Sequence, residues 1–155
     1  MRETITVKDV FDALISLEEA GRDAYRLLAD AAADDHARGL FADLSRREEA
    51  HRKLYTEMSG KIVDSAAPDL DEEYREYLSV VLEHNFDLVR SAARPLGWEE
   101  GIAVGIELER QTIMFLSDLY RLLDGTVREP LLAVLREEQG HLRALLTLRK
   151  NQGRA

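Results

Sequence analysis

A chain of 155 residues, 45% hydrophobic and 33% charged, has the apolar material for one sizeable core and is read as a single domain over residues 1–155. Its net charge of −9 repels the phosphates of nucleic acid, and no apolar stretch approaches the length that crosses a bilayer. The absence of cysteine excludes disulfides, thiolate metal sites and iron–sulfur or rubredoxin-type centres within this sequence, and without a basic, apolar leader the expected location is the cytoplasm.

Thr6 followed by Asp9 has the spacing of a capping box and predicts a first helix from near Val7 to about Ala33. Asp34 and Asp35 stand where they can cap a second helix, expected to end near Gly60. Lys61–Leu70 has the composition of a loop. Asp71–Ala93 predicts a third helix, with Tyr74, Tyr77, Leu78, Val81, Leu82, Asn85, Leu88 and Val89 at helical spacing. It either joins two antiparallel halves or presents a dimer surface. Its tyrosines and valines exceed what one side of a small bundle covers, which predicts a homodimer or larger assembly.

Arg94-Pro95-Leu96-Gly97 ends that helix, because proline disfavours helical geometry in the residue before it. A fourth helix is expected from about Trp98 to Leu123, closed by Asp124-Gly125. Thr126 with Glu129 again has capping-box spacing, with Pro130 in the first turn, and the last helix is expected to reach about Lys150. Asn151–Ala155 is then a short polar tail.

The seams of four of these helices carry the functional signal. In the second, Phe41, Leu44, Glu48, His51, Tyr55 and Met58 follow at steps of 3, 4, 3, 4 and 3 and share one face. In the last, Leu131, Val134, Glu138, His141, Leu145 and Leu148 repeat the same steps, with Glu138 and His141 in the slots of Glu48 and His51, 90 residues on. One Glu-x-x-His among 17 glutamates and four histidines means little, and His36 and His84 lack the preceding glutamate. Two at equivalent seam positions indicate a repeat. Each is preceded by a helix with a lone seam carboxylate: Val7, Phe11, Leu14, Glu18, Gly21, Tyr25, Leu28 in the first half, and Ile102, Gly105, Glu109, Thr112, Leu116, Leu119, Leu123 in the second.

Four glutamates and two histidines thus point into one core, where carboxylates are almost never left without a partner or a metal. Two divalent ions would neutralise the four negative charges, and an oxygen and nitrogen donor set without sulfur suits iron or manganese. The competing account is a buried salt-bridge network with His51 and His141 cationic, which leaves net negative charge inside and gives no reason for the repeat. Tyr25, one heptad after Glu18, either contacts a ligand carboxylate, supplies electrons, or only fills core. Gly21 makes room for an oxidant or allows close helix packing. Glu49, Glu107 and Glu137 are expected to be solvated or to support the ligands, His84 to be a surface or interface residue and His36 a helix-start residue.

On these residues, Glu18 with Tyr25, Glu48-Glu49-Ala50-His51, Glu109, and Glu138-Gln139-Gly140-His141, the chain resembles a rubrerythrin-like member of the ferritin-like superfamily. The resemblance covers the four core helices. It implies an all-α fold, a ferritin-like four-helix bundle made of two helical hairpins with an extra connecting helix. It also implies a centre of two iron ions, with manganese or a mixed pair as variants, in which Glu18 and Glu109 each cap one ion, Glu48 and Glu138 bridge, and His51 and His141 each complete one.

The implied activity is that of a non-haem di-iron oxidoreductase reacting with peroxide or oxygen. The alternative is a ferritin-like protein that oxidises or holds ferrous iron. Two features depart from the family pattern. Thr112 stands where peroxidase-active rubrerythrins usually carry a further carboxylate, and no rubredoxin-type sequence is present, so the electron donor is expected to be a separate soluble molecule.

Overall fold

The computed structural model describes residues 5–62 and 69–154, so most of the loop expected over Lys61–Leu70 lies outside the described residues, as does Ala155. Five α-helices follow one another: α1 (Val7–Ala31), α2 (Asp35–Lys61), α3 (Glu72–Ala92), α4 (Trp98–Leu122) and α5 (Arg128–Gln152), with a 3-10 turn at Gly125–Val127 leading into the last. No strand occurs among the described residues, and no helix is long and apolar enough to cross a membrane.

The acidic caps form where the sequence places them. Asp9 accepts from the Thr6 backbone N–H at 2.6 Å and from its hydroxyl at 2.7 Å. Asp34 accepts from the Ala37 N–H, and Asp71 from the Tyr74 N–H, each at 2.8 Å. Each such cap satisfies a backbone donor the helix cannot and contributes about 1 kcal/mol. The box expected at Thr126 does not form. Val127 and Arg128 already have right-handed helical backbone angles, so the 3-10 turn runs straight into α5 and Thr126 lies inside it rather than at its end. Pro130 is accommodated in the first turn of α5, where its missing N–H has no helical partner to lose. Helix ends otherwise fall within two residues of expectation, α1 stopping at Ala31 and α5 reaching Gln152.

α1 and α2 pair as a hairpin across the short link Ala32–Asp34, and α4 pairs with α5. The hairpins meet through α1 against α4, and α3 spans from one to the other, lying against α1 and α4. α3 is therefore the connecting element. It buries Leu78, Asn85, Leu88 and Ala92, half-buries Tyr74, Val81, Leu82 and Val89, and leaves Val80 and Phe86 69% and 62% exposed.

Every seam residue of α1, α2 and α4 is buried, and that of α5 is buried as far as Leu145. The buried apolar side chains fall into two clusters. One gathers Val10, Phe11, Leu14, Leu17, Met58, Leu78, Phe115, Leu116, Leu119 and Leu131; the other gathers Tyr25, Leu28, Phe41, Leu44, Ile102, Ile106 and Leu145. Between Leu17 and Tyr25 on α1, and between Leu44 and Met58 on α2, the seam passes through the polar residues.

Candidate metal centre

All six polar seam residues meet in the layer between the two apolar clusters. Their exposure runs from 0% at Glu138 to 7% at His141. His51 Nδ1 stands 2.6 Å from Glu138 Oε1 and 3.9 Å from Glu18 Oε2. His141 Nδ1 stands 2.9 Å from Glu138 Oε2, 3.1 Å from Glu48 Oε1 and 3.8 Å from Glu109 Oε2. Glu138 therefore stands between both rings, Glu18 belongs with His51, and Glu109 with His141. The imidazoles stack at 5.6 Å between centroids. Glu48, His51, Glu138 and His141 each present a donor atom within 4.8 Å of the others.

The close approaches are not hydrogen bonds. Both oxygens of Glu18, both of Glu138, Glu48 Oε1, His51 Nδ1 and both ring nitrogens of His141 are buried without a hydrogen-bond partner. Buried polar atoms left this way cost about 1–3 kcal/mol each, and so many in one place is not how a finished hydrogen-bonded core looks.

Electrostatics of the layer follow from burial and mutual charge. Burial, then the charges of Glu138 and Glu48, raise the Glu18 carboxyl well above the ordinary range. Burial, Glu48 and Glu138 do the same to Glu109, against a lowering contact from Tyr25. Burial opposes the charged form of His141, but Glu138 and Glu48 outweigh it and bring its pKa up to about 10; His51 is raised by the same balance. Burial would raise Glu138 too, yet contact with both histidines holds it down at about 2. Without metal, then, neutral Glu18 and Glu109 and cationic histidines let the layer balance its own charge. The net negative charge held against a salt-bridge network disappears on protonation. The unpartnered donor atoms remain, and they fit divalent ions: hard oxygens and imidazole nitrogens with no thiolate, the set that suits iron or manganese.

Two tyrosines border the layer. The Tyr25 hydroxyl donates to Glu109 Oε1 at 2.5 Å and lies 3.3 Å from the Gly105 carbonyl, so of the readings open for it, contact with a candidate ligand is the one the geometry shows. Gly105 makes that contact possible, because a Cβ there would stand 2.9 Å from the Tyr25 ring. Gly21 is not required in the same way: a Cβ at that position would lie 3.4 Å from Glu48 Cγ, an ordinary van der Waals contact. Tyr55 is buried with its hydroxyl unpartnered, close enough to Glu18 for that carboxylate to help burial raise its pKa. Its placement was legible in retrospect, since Tyr55 follows Glu48 by one heptad as Tyr25 follows Glu18.

Among the neighbouring acids, Glu137 faces the layer from outside, its Oε2 3.1 Å from His51 Nε2 and 3.5 Å from Arg47 Nη1. Glu49 is held by Arg22 at 2.8 Å and by Arg52 at 2.9 Å, away from the histidines. Glu107 accepts from Gln111 at 3.1 Å and stays partly exposed, while Thr112 is buried on the α4 seam. His36 lies in the first turn of α2, where a helix-start residue was expected, and His84 is exposed on α3.

A bundle of two helical hairpins with buried carboxylates and histidines from four helices defines the ferritin-like class. A crystal structure from Thermotoga maritima, provisionally named a ferritin-like diiron-carboxylate protein, has this fold: TM-score 0.72 at 20% identity, over 98% of this chain and 99% of that one. The family model for Rubrerythrin matches residues 9–149, and the chain belongs to that family. No curated protein matches the sequence.

Proposed function

We propose that the polar layer holds two metal ions and that the protein is a non-haem di-iron oxidoreductase of the rubrerythrin kind, reducing peroxide or oxygen. The convergence of buried, unpartnered donor atoms on Glu18, Glu48, Glu138, His51 and His141 carries this reading. Glu18 and His51 would hold one ion, Glu109 and His141 the other, with Glu48 and Glu138 shared between them. Two iron ions, when bound, supply the electron-transfer chemistry, and manganese suits the same donors.

The chain's own residues set the conditions for that chemistry. The apolar clusters on either side keep water from the layer, and Tyr25 fixes the orientation of Glu109 through its hydroxyl. Glu18 and Glu109, raised in pKa without metal, would give up their protons on holding the ions. Peroxide becomes two waters on taking up two electrons and two protons, and a separate soluble donor supplies the electrons.

Thr112 favours a second reading, because it leaves empty of charge the slot where a further carboxylate would stand. In that reading the electrons come from ferrous iron itself, two Fe²⁺ per peroxide.

Peroxide consumption by the iron-loaded protein, with and without a reduced viologen dye, separates the two. Sustained turnover with the dye supports the oxidoreductase; consumption that stops after two Fe²⁺ per peroxide and resumes only with fresh Fe²⁺ supports iron oxidation. Glu48→Ala is expected to abolish either activity, and His51→Ala to keep about one ion per chain. Wild-type rates in Glu48→Ala, or equal losses in His36→Ala and His84→Ala, would sink the assignment.

A further inference from the structure

The two halves of the layer carry the same ligand types but do not support them equally. Glu137 is a carboxylate and can only accept, so its 3.1 Å contact requires the proton of His51 to sit on Nε2. In the neutral ring that can hold a metal, the lone pair of Nδ1 is then directed inward, toward Glu138 and Glu18. Glu137 is itself steadied by Arg47, whose Nε is held at 3.0 Å by Asp43. The 90-residue repeat relates His51 to His141 and Glu137 to Arg47. Arginine cannot accept a hydrogen bond, and Nε2 of His141 is buried with no partner. One imidazole is anchored from behind; the other is not.

Resting on the two-ion reading, we infer that the two metal positions are inequivalent and that Glu137, outside the ligand set, makes them so as a positioning residue for His51. The position shared by Glu18 and His51 fills first and holds its ion more tightly. The position shared by Glu109 and His141 fills second and exchanges its ion more readily, because the His141 ring must be ordered when the ion arrives. An outer acceptor that fixes the tautomer and orientation of a ligating histidine changes metal affinity by about 10- to 100-fold, and that is the gap expected between the two steps.

The test is an anaerobic titration of metal-free protein with Co²⁺ alone, followed by visible absorption and calorimetry, on wild type, Glu137→Ala, Glu137→Gln and Arg47→Gln. Wild type should bind two ions in steps at least about tenfold apart. Glu137→Ala should weaken the tighter step alone and merge the two. Glu137→Gln, whose amide oxygen still accepts, should restore most of the separation. Arg47→Gln, which offers His141 an acceptor at the repeat-related position and removes the contact that steadies Glu137, should tighten the weaker step and slightly loosen the tighter one. Helicity and melting of the metal-free variants should match wild type, so a general structural loss is told apart.

Two ions bound in steps of equal affinity, or Glu137→Ala weakening both steps alike or neither, would overturn the inference while leaving the two-ion reading intact. Fewer than two ions bound by wild type would overturn both.

Discussion

The apolar clusters and the polar layer between them are made by the same helices and the same continuous seams, yet burial acts on them with opposite sign. At Leu14, Phe115 and Leu119, removal from water is itself stabilising. One turn along from Leu14, at Glu18, the same burial drives the carboxyl toward its neutral form and leaves both its oxygens without a donor. The bundle is held by its two ends, and the centre is a destabilising layer that those ends offset. Residues that would be pruned from a core designed only for stability are kept here in four helices at once, and the proposed two-ion site accounts for them.

The sharpest way to break this contrast is to mutate the two neighbours on α1 in metal-free protein. Leu14→Ala, at a fully buried position, should lower unfolding free energy by about 2–5 kcal/mol in urea denaturation. Glu18→Leu, four residues on, should raise it by about 1–4 kcal/mol, since an apolar group of similar volume replaces a buried acid in an imperfectly paired cluster. A loss of stability in Glu18→Leu comparable to that in Leu14→Ala would show that the layer is an ordinary part of the core.

A smaller effect sharpens the same contrast through pH. Glu18 and Glu109 are raised in the folded state, so the folded chain keeps protons that the unfolded chain releases, and their contribution falls as pH rises above the ordinary carboxylate range. His141 adds in the same direction: its contribution is complete below 6.5 and is lost as pH rises toward about 10. Glu138, held at about 2, contributes fully above 4.5, and that contribution is lost as pH falls from there toward about 2. Metal-free protein should therefore melt highest in mildly acidic buffer and progressively lower from pH 6.5 upward. Metal displaces those protons, so the gap in melting temperature between loaded and metal-free protein should widen with pH. A gap that narrows from pH 6.5 upward would contradict this.

Much of this arrangement was legible in the sequence because a strict 3,4 spacing leaves a helix only one face to bury. Glu18, Glu48, His51, Glu109, Glu138 and His141 were found on that ground, and the repeat showed that they meet. What spacing could not show was any contact made across helices from outside a seam. Glu137 lies next to Glu138 in the chain and so points away from its own seam, yet it reaches His51 on another helix. Tyr25 was on the seam, but its choice of Glu109 over Glu18 depends on how α1 and α4 cross. Protonation was equally hidden: formal charges made a metal-free layer look strongly negative, whereas burial shifts the acids toward neutrality. The capping box expected at Thr126 fails for a local reason, the 3-10 turn at Gly125–Val127 taking the place of a side-chain cap, although α5 begins within two residues of it. Of the tyrosines and valines on which the expectation of a dimer was based, Tyr74, Val81 and Val89 pack against the bundle, while Tyr77 and Val80 stay exposed.

The central claim is that the polar layer is a two-ion site, and anomalous X-ray diffraction at the iron absorption edge, from crystals equilibrated with Fe²⁺ under nitrogen, tests it most directly. Two peaks enclosed by Glu18, Glu48, His51, Glu109, Glu138 and His141 are predicted. An iron-free layer in such crystals, with any peaks confined to surface carboxylates, would contradict the account.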